Sequence, residues 1–174
     1  MWTVKTMTTS NAKLIATDRF QLSAEERAAI ETSIHHYDDP RAATIDALKI
    51  VQETHGWVPD GAIYAIADVL GIPATDVEGV ATFYNLIFRQ PVGRHVITVC
   101  DSIGCYLTGS DDLIAGIKQH LGVELGQTTA DGRFTLLPIC CLGNCDKGPT
   151  LMIDKDTHGP VAVTEISSLL EPYA

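Results

Sequence analysis

The chain has 174 residues, a hydrophobic fraction of 45% and a formal net charge of −10. This length predicts one domain or two small ones, and the apolar content is sufficient for a buried core. An acidic chain cannot neutralise phosphates, so we expect no nucleic-acid partner. Its apolar stretches are far shorter than the ~20 residues that span a bilayer, so we expect no direct membrane insertion.

The chain begins with a polar segment. Residues 1–20 lack the apolar core of a secretory signal. Ser and Thr are frequent among them, and no acidic residue occurs in positions 1–17. This composition predicts a disordered tail over residues 1–20.

Helical periodicity characterises residues 21–90. Ser23 and Glu26 match a capping box at the start of a first helix. Asp39, followed by a proline, is predicted to cap a second helix that ends at Gly56.

Two further helices are predicted in this region. A third is expected over residues 60–70, and Thr75 with Glu78 matches a capping box for a fourth. Four short helices with brief connections predict an N-terminal four-helix bundle. The aromatic residues Phe83 and Tyr84 are expected mostly in its core, with some left to cover a partner surface.

Strands and helices alternate in the second part of the chain. A buried strand is predicted over residues 95–99, followed by a helix that Ser110 caps and that ends at residue 121. A second strand is predicted over residues 134–139. A hairpin around residues 154–159, with strands at 150–153 and 160–163, precedes a last helix. The predicted class is α/β, with a tail (1–20), a helical bundle domain (21–90) and an α/β domain (91–174).

The cysteines form the most informative pattern in the chain. Cys100 and Cys105 lie in the run CDSIGC, and Cys141 and Cys145 lie in the run CCLGNC. Each pair is close enough for both sulfurs to reach one metal centre. Clustering in loops favours reduced, metal-bound thiolates over a disulfide scaffold.

Two metal centres fit this spacing. Structural zinc takes four thiolates around one ion, whereas a 2Fe-2S cluster takes two thiolates per iron. The four-residue gap in the first pair favours iron slightly, as do Gly104 and Gly143, whose backbone N–H groups can turn towards sulfur. A thiol–disulfide enzyme is disfavoured because neither pair has C-x-x-C spacing. Spacing does not decide whether Cys140 or Cys141 is the third ligand.

Longer runs extend the pattern over nearly the whole chain beyond the tail. The runs HYDDPRAATIDALKIVQETHGWVPDGAIYAIADVLGIPATDVEGVATFY, VITVCDSIGC and TTADGRFTLLPICCLGNCDKGP resemble the E subunit of respiratory NADH:quinone oxidoreductase (complex I), the thioredoxin-like 2Fe-2S ferredoxin subunit. The resemblance implies a thioredoxin-like α/β ferredoxin fold for residues 91–174, with Cys140 as a non-ligand neighbour. It also implies the ligands of one 2Fe-2S cluster: Cys100, Cys105, Cys141 and Cys145.

The same resemblance implies an electron-transfer subunit of an NADH-oxidising module. FMN and NADH would be bound by a partner subunit, and a large iron–sulfur subunit is the second expected partner. This agrees with the lack of a G-x-G-x-x-G fingerprint or a phosphate loop in the sequence. The complex would lie on the cytoplasmic side of the bacterial inner membrane, with this chain peripheral.

Two alternatives stay open from the residues. The equivalent subunit of an NAD-linked hydrogenase or formate dehydrogenase uses a similar module. A zinc-stapled scaffold subunit without a redox role would use the same thiolates. The acids Asp101 and Asp146 flank ligands, and they either lower the potential of a cluster or are solvated loop carboxylates.

Overall fold

The computed structural model describes residues 20–173. The predicted tail, apart from Phe20, therefore lies outside the described residues. The chain divides into two compact units, and the division falls between Pro91 and Val92. Each unit has a hydrophobic core of its own.

The first unit is helical over its described residues. Its elements are α1 (Ala24–Ile34), a 3-10 turn (Pro40–Ala43), α2 (Thr44–His55), α3 (Asp60–Leu70) and α4 (Ala74–Phe83). Its core includes the fully buried Ile30, Leu48, Val51, Ile66 and Val77.

The start of α1 is the predicted capping box. The Glu26 N–H donates to Ser23 Oγ at 3.1 Å, and the Ser23 N–H donates to Glu26 Oε2 at 2.8 Å. Glu26 is buried, and its other carboxylate oxygen lies 3.0 Å from His55 Nε2. This acid therefore joins the first turn of α1 to the last turn of α2, which Gly56 ends in the left-handed conformation at φ +78°.

The second predicted capping box is wrong. Helix α4 begins after Pro73, and no side chain among the described residues caps it. Glu78 instead accepts a hydrogen bond from Arg89 at 2.9 Å. The motif fails because Thr75 is already the second residue of the helix, where its backbone is helical rather than extended.

The aromatic residues at the end of α4 are not in the core. Phe83 is 76% exposed and Tyr84 is 44% exposed. Their rings pack edge to face, with centroids 5.2 Å apart. The last turn of α4 thus presents an aromatic surface.

The second unit is an α/β fold. In chain order its elements are β1 (His95–Cys100), α5 (Ile103–Leu107), α6 (Ser110–Leu121), β2 (Phe134–Ile139), β3 (Leu151–Ile153), β4 (Asp156–His158) and α7 (Ile166–Leu170). The strand order in the sheet is β2-β1-β3-β4.

The sheet pairing places both cysteine loops at one edge. Strands β1 and β2 are parallel, with Cys100 opposite Ile139, so their carboxyl ends coincide. Strand β3 runs antiparallel to β1, and β4 runs antiparallel to β3. The carboxyl ends of β1 and β2 therefore meet the start of β3.

Helix α6 packs against the sheet. It also lies close to the C-terminal segment that contains Val163 and Ile166. Its Leu113 and Ile117 are buried in the core of the second unit. A Cβ on Gly116 would lie 2.7 Å from Val163 Cγ1 and 2.9 Å from Ile166 Cδ1. Any larger residue at this position would force the side chains of Val163 and Ile166 to shift.

Two predictions for the second unit are wrong in detail. Ser110 is the first residue of α6 rather than its cap, and Gly109 precedes it with φ +102°. The hairpin turns at Asp154, and its second strand is β4 rather than residues 160–163. Asp154 adopts φ +54° there and accepts the Val96 N–H at 2.9 Å.

None of the helices among residues 20–173 combines the length and the apolarity that crossing a bilayer requires.

Candidate metal centre

The first cysteine pair is held by a strand end and a short helix. Cys100 is the last residue of β1, and Cys105 lies in α5. Their exposed fractions are only 1% and 2%. The Tyr106 N–H donates to Ser102 O at 2.8 Å and closes the first turn of α5. The sequence did not predict α5, because its five residues are too few for a periodic pattern.

The second pair lies in the loop that follows β2. Cys141 and Cys145 are both exposed, and Cys145 begins a 3-10 turn that ends at Lys147. The Gly143 N–H donates to Cys141 Sγ at 3.3 Å, with Gly143 at φ +76°. This confirms the prediction that a glycine turns its N–H towards sulfur, where it stabilises negative charge.

The two pairs lie next to each other at the sheet edge. The Asp101 N–H donates to Ile139 O at 3.1 Å. This hydrogen bond joins the two loops where they leave β1 and β2. Cys100 Sγ lies 4.0 Å from the backbone oxygen of Cys140. A Cβ added at Gly104 would lie 3.9 Å from Cys145 Sγ, so the first loop comes close to the second at this point. All four predicted ligands therefore belong to one small region.

The two buried thiols differ in acidity. Burial acts to raise the pKa of Cys100, but hydrogen bonds from the Ser102 backbone, the Cys105 thiol and the Leu142 backbone outweigh it and lower the pKa. Burial raises the pKa of Cys105, and its hydrogen bond to Cys100 raises it further.

In the exposed pair, the pKa of Cys145 is raised. A hydrogen bond to Cys141, followed by the charge of Cys141, raises the pKa of Cys145. The nearby Asp146 carboxylate acts in the same direction, as Asp101 does on Cys100. Both acids therefore disfavour negative charge on the neighbouring sulfur.

The arrangement of the sulfurs fits a binuclear cluster. Within residues 20–173, no three Cys, His, Asp or Glu side chains already surround a single ion position. The thiols act on one another's pKa in two pairs, since Cys105 acts on Cys100 and Cys141 acts on Cys145. A 2Fe-2S cluster takes two thiolates per iron, so each pair can serve one iron. The donor set and its pairing fit this group.

An apolar surface borders the centre. Ile103, Tyr106 and Leu107 on α5 are 70%, 54% and 76% exposed. They surround the buried Cys105 in the same helix. Exposed apolar residues gathered in this way are typical of a contact surface for another protein.

Comparison with known proteins defines the class. The family model described as "Thioredoxin-like [2Fe-2S] ferredoxin" matches residues 30–174. The chain belongs to the thioredoxin-like 2Fe-2S ferredoxin family. Membership favours the 2Fe-2S cluster over the zinc-stapled alternative.

Within this family, the chain is similar to individual proteins that share one name. The chain is 66% identical to the NADH-quinone oxidoreductase E subunit of Pseudomonas aeruginosa over 164 residues, which cover 94% of this chain and 99% of that protein. It is 66% identical to the protein of the same name in Escherichia coli K12 over 157 residues, covering 90% of this chain and 95% of the other. The resemblance expected from the sequence runs is thereby confirmed.

A solved structure shows the same fold. An NAD+-reducing NiFe-hydrogenase in the air-oxidized state superposes with a TM-score of 0.61 at 21% identity. The match covers 72% of this chain but only 22% of the hydrogenase chain. At this identity the likeness concerns the fold alone.

Proposed function

We propose that this chain is the electron-transfer subunit of the NADH-oxidising module of a respiratory NADH:quinone oxidoreductase. The observation that carries the proposal is the pair of cysteine loops at one sheet edge, in a chain 66% identical to an NADH-quinone oxidoreductase E subunit over 94% of its length. As a member of its family, the chain holds a 2Fe-2S cluster. When bound, this cluster supplies one-electron transfer.

We assign the ligands of the cluster to Cys100, Cys105, Cys141 and Cys145. The pairing of the sulfurs supports this set, since it offers two thiols to each iron. Cys140 is the excluded neighbour. Its backbone oxygen lies 4.0 Å from Cys100 Sγ.

The residues around the sulfurs determine how favourable it is to add one electron to the cluster. NADH gives up two electrons as a hydride, so a flavin must accept the pair and pass electrons on singly. The Gly143 N–H at Cys141 stabilises the extra negative charge, whereas Asp101 and Asp146 oppose it. Cys100 and Cys105 are buried and Cys141 and Cys145 are exposed, so electrons should enter and leave on the exposed side.

Two partner subunits complete the reaction. FMN and NADH lie on one partner, and a large iron–sulfur subunit is the other. The apolar surface of Ile103, Tyr106 and Leu107 beside Cys105 supports a protein contact next to the cluster. The chain is therefore one part of an oxidoreductase and has no complete active site of its own.

The helical part would serve as a second docking element. We propose that residues 21–90 form a four-helix bundle domain and residues 91–174 a thioredoxin-like domain. The exposed aromatic pair Phe83 and Tyr84 supports a docking role for the bundle. The assembly would place this chain at the periphery of the complex, on the cytoplasmic side of the bacterial inner membrane.

The fold likeness to an NAD+-reducing hydrogenase favours a second candidate. In it, the chain would carry the same cluster next to the flavin of a hydrogenase. The two candidates differ in their partner chains rather than in the chemistry of this chain.

Isolation of the native assembly tests the proposal. The chain should be tagged at its C-terminus, extracted from membranes in mild detergent, and its partners identified by mass spectrometry. We expect a flavin-binding NADH-oxidising subunit, a large iron–sulfur subunit, and about two irons per copy of this chain. Recovery of hydrogenase subunits would support the second candidate, and one zinc without iron would contradict both.

A further inference from the structure

Thr150 is a buried polar residue between the two cysteine loops. It lies immediately before β3, is 0% exposed, and carries no ligand atom of the proposed cluster. A hydroxyl in this position must find its partners within the protein. All of the partners of Thr150 lie in the segments that carry the cysteines.

The backbone of Thr150 holds the first cysteine pair. Its carbonyl oxygen accepts the Cys100 N–H at 3.1 Å. Cys100 is the last residue of β1, so this hydrogen bond fixes the end of the strand from which the first cysteine loop begins. Thr150 thus holds Cys100, and with it the start of the first loop, through its main chain.

The side chain of Thr150 holds the turn of the second pair. Its hydroxyl donates to Lys147 O at 2.8 Å and accepts from Asn144 Nδ2 at 3.4 Å. Asn144 directly precedes the 3-10 turn that contains Cys145, and Lys147 is the last residue of that turn. The hydroxyl therefore fixes this turn at both ends.

Gly159, the residue that follows β4, packs against the hydrogen-bonded groups of Thr150, Asn144 and Lys147. A Cβ on Gly159 would lie 2.7 Å from Thr150 Oγ1 and 2.9 Å from Asn144 Nδ2. It would also collide with the carbonyl oxygen of Lys147. Gly159 therefore packs directly against the network of the Thr150 hydroxyl.

We propose that Thr150 is a positioning residue that locks the Cys145 turn against the Cys100 loop and thereby sets the reduction potential and the retention of the cluster. The inference rests on the proposed function, because it presumes a cluster on these cysteines. Thr150 acts through the loops and touches no iron.

Thr150→Val tests the inference, since valine keeps the shape and the backbone but removes the hydroxyl. The Lys147 carbonyl and the Asn144 amide then lose their partner, and the turn loosens. Backbone N–H groups of the loosened loop, among them that of Gly143 at Cys141, are then held less closely to sulfur, so they stabilise the reduced cluster less well. We expect a lower midpoint potential by redox titration with electron paramagnetic resonance, and loss of iron to a chelator about 10-fold faster, as is usual when a partner of a metal ligand is removed.

Two threonine variants act as controls. Thr150→Ser keeps the hydroxyl and should restore the wild-type potential. Thr98→Val removes another buried hydroxyl of the same sheet, whose partner is Met152 O at 3.4 Å, in the strands rather than in the cysteine loops. Equal potentials in wild type, Thr150→Val and Thr98→Val would overturn the inference, as would equal shifts in the two valine variants.

Gly159→Ala provides a second, independent variant. The added methyl enters the Thr150 network and should shift the potential, whereas Gly79→Ala, which meets nothing within 4 Å, should not. An unchanged potential in Gly159→Ala, with iron retained as in wild type, would contradict the inference. Wild-type chain that takes up neither iron nor sulfide would instead refute the proposed function, so the two failures are distinguishable.

Discussion

Cys140 and Cys141 are adjacent, yet they present different atoms to the centre. Cys140 turns its backbone oxygen towards Cys100 Sγ at 4.0 Å, whereas Cys141 Sγ accepts the Gly143 N–H at 3.3 Å. Spacing could not separate these two residues, because either gives a pair with Cys145. The difference depends on the direction of the backbone after β2, which no local sequence pattern encodes.

Substitution of single cysteines tests this difference. Cys145→Ser should lose or badly distort the cluster, because one iron would keep a single thiolate from this loop. Cys140→Ser is the matched control and should leave the visible and electron paramagnetic resonance spectra nearly unchanged. Bleaching by the Cys140 change alone would show that the ligand assignment is shifted by one residue.

Helix starts are decided by backbone position as much as by residue type. Ser23 and Thr75 both precede a glutamate by three residues, and only Ser23 caps a helix. Thr75 follows Pro73, whose extended backbone already starts α4 one residue earlier. The glycine that ends α2 was predictable because its φ of +78° suits few other residues.

The two predicted capping boxes, one beginning at Ser23 and the other at Thr75, can be compared in a stability test. Ser23→Ala should lower the free energy of unfolding by about 1 kcal/mol, since the Glu26 N–H loses its acceptor. Thr75→Ala should change it by less than about 0.5 kcal/mol, as for exposed residues without such a role. Urea denaturation followed by circular dichroism measures both, and equal losses would mean that Thr75 also caps its helix.

The helical glycines Gly79 and Gly116 differ only in their surroundings. Gly79→Ala should raise the free energy of unfolding by about 1 kcal/mol, because alanine is the better helix former and the site is open. Gly116→Ala should lower it, since the collision with Val163 and Ile166 costs roughly 1–3 kcal/mol and exceeds that gain. Denaturation curves in which Gly116→Ala is as stabilising as Gly79→Ala would show that α7 shifts to make room.

At the scale of the whole molecule, the fold class follows from the change of periodicity along the chain. Helical spacing gives way to strands β1 and β2, both predicted at nearly their observed bounds because they are buried and apolar. The short elements were predicted less well: α5 was missed and the hairpin was misplaced. Their few residues are positioned by the cysteine loops and by Asp154 rather than by a repeating pattern.

The charge of the molecule predicts the direction of its redox potential. The chain has a net charge of −10, and Asp101 and Asp146 lie beside ligands. Negative charge opposes the addition of an electron, and related clusters lie near about −400 mV. We expect a midpoint well below zero in a redox titration followed by electron paramagnetic resonance, and a positive midpoint would contradict this.

The parallel pairing of β1 with β2 has a consequence for how the holoprotein matures. Residues 101–133 form the crossover between these parallel strands, so the strands must pair before the two thiol pairs become neighbours. A nascent or partly unfolded chain therefore exposes isolated dithiols, which can capture stray ions but cannot build the binuclear centre. The visible absorbance of the 2Fe-2S cluster should therefore appear only when β1 and β2 have paired. Incorporation of iron would then mark the completion of folding of this unit.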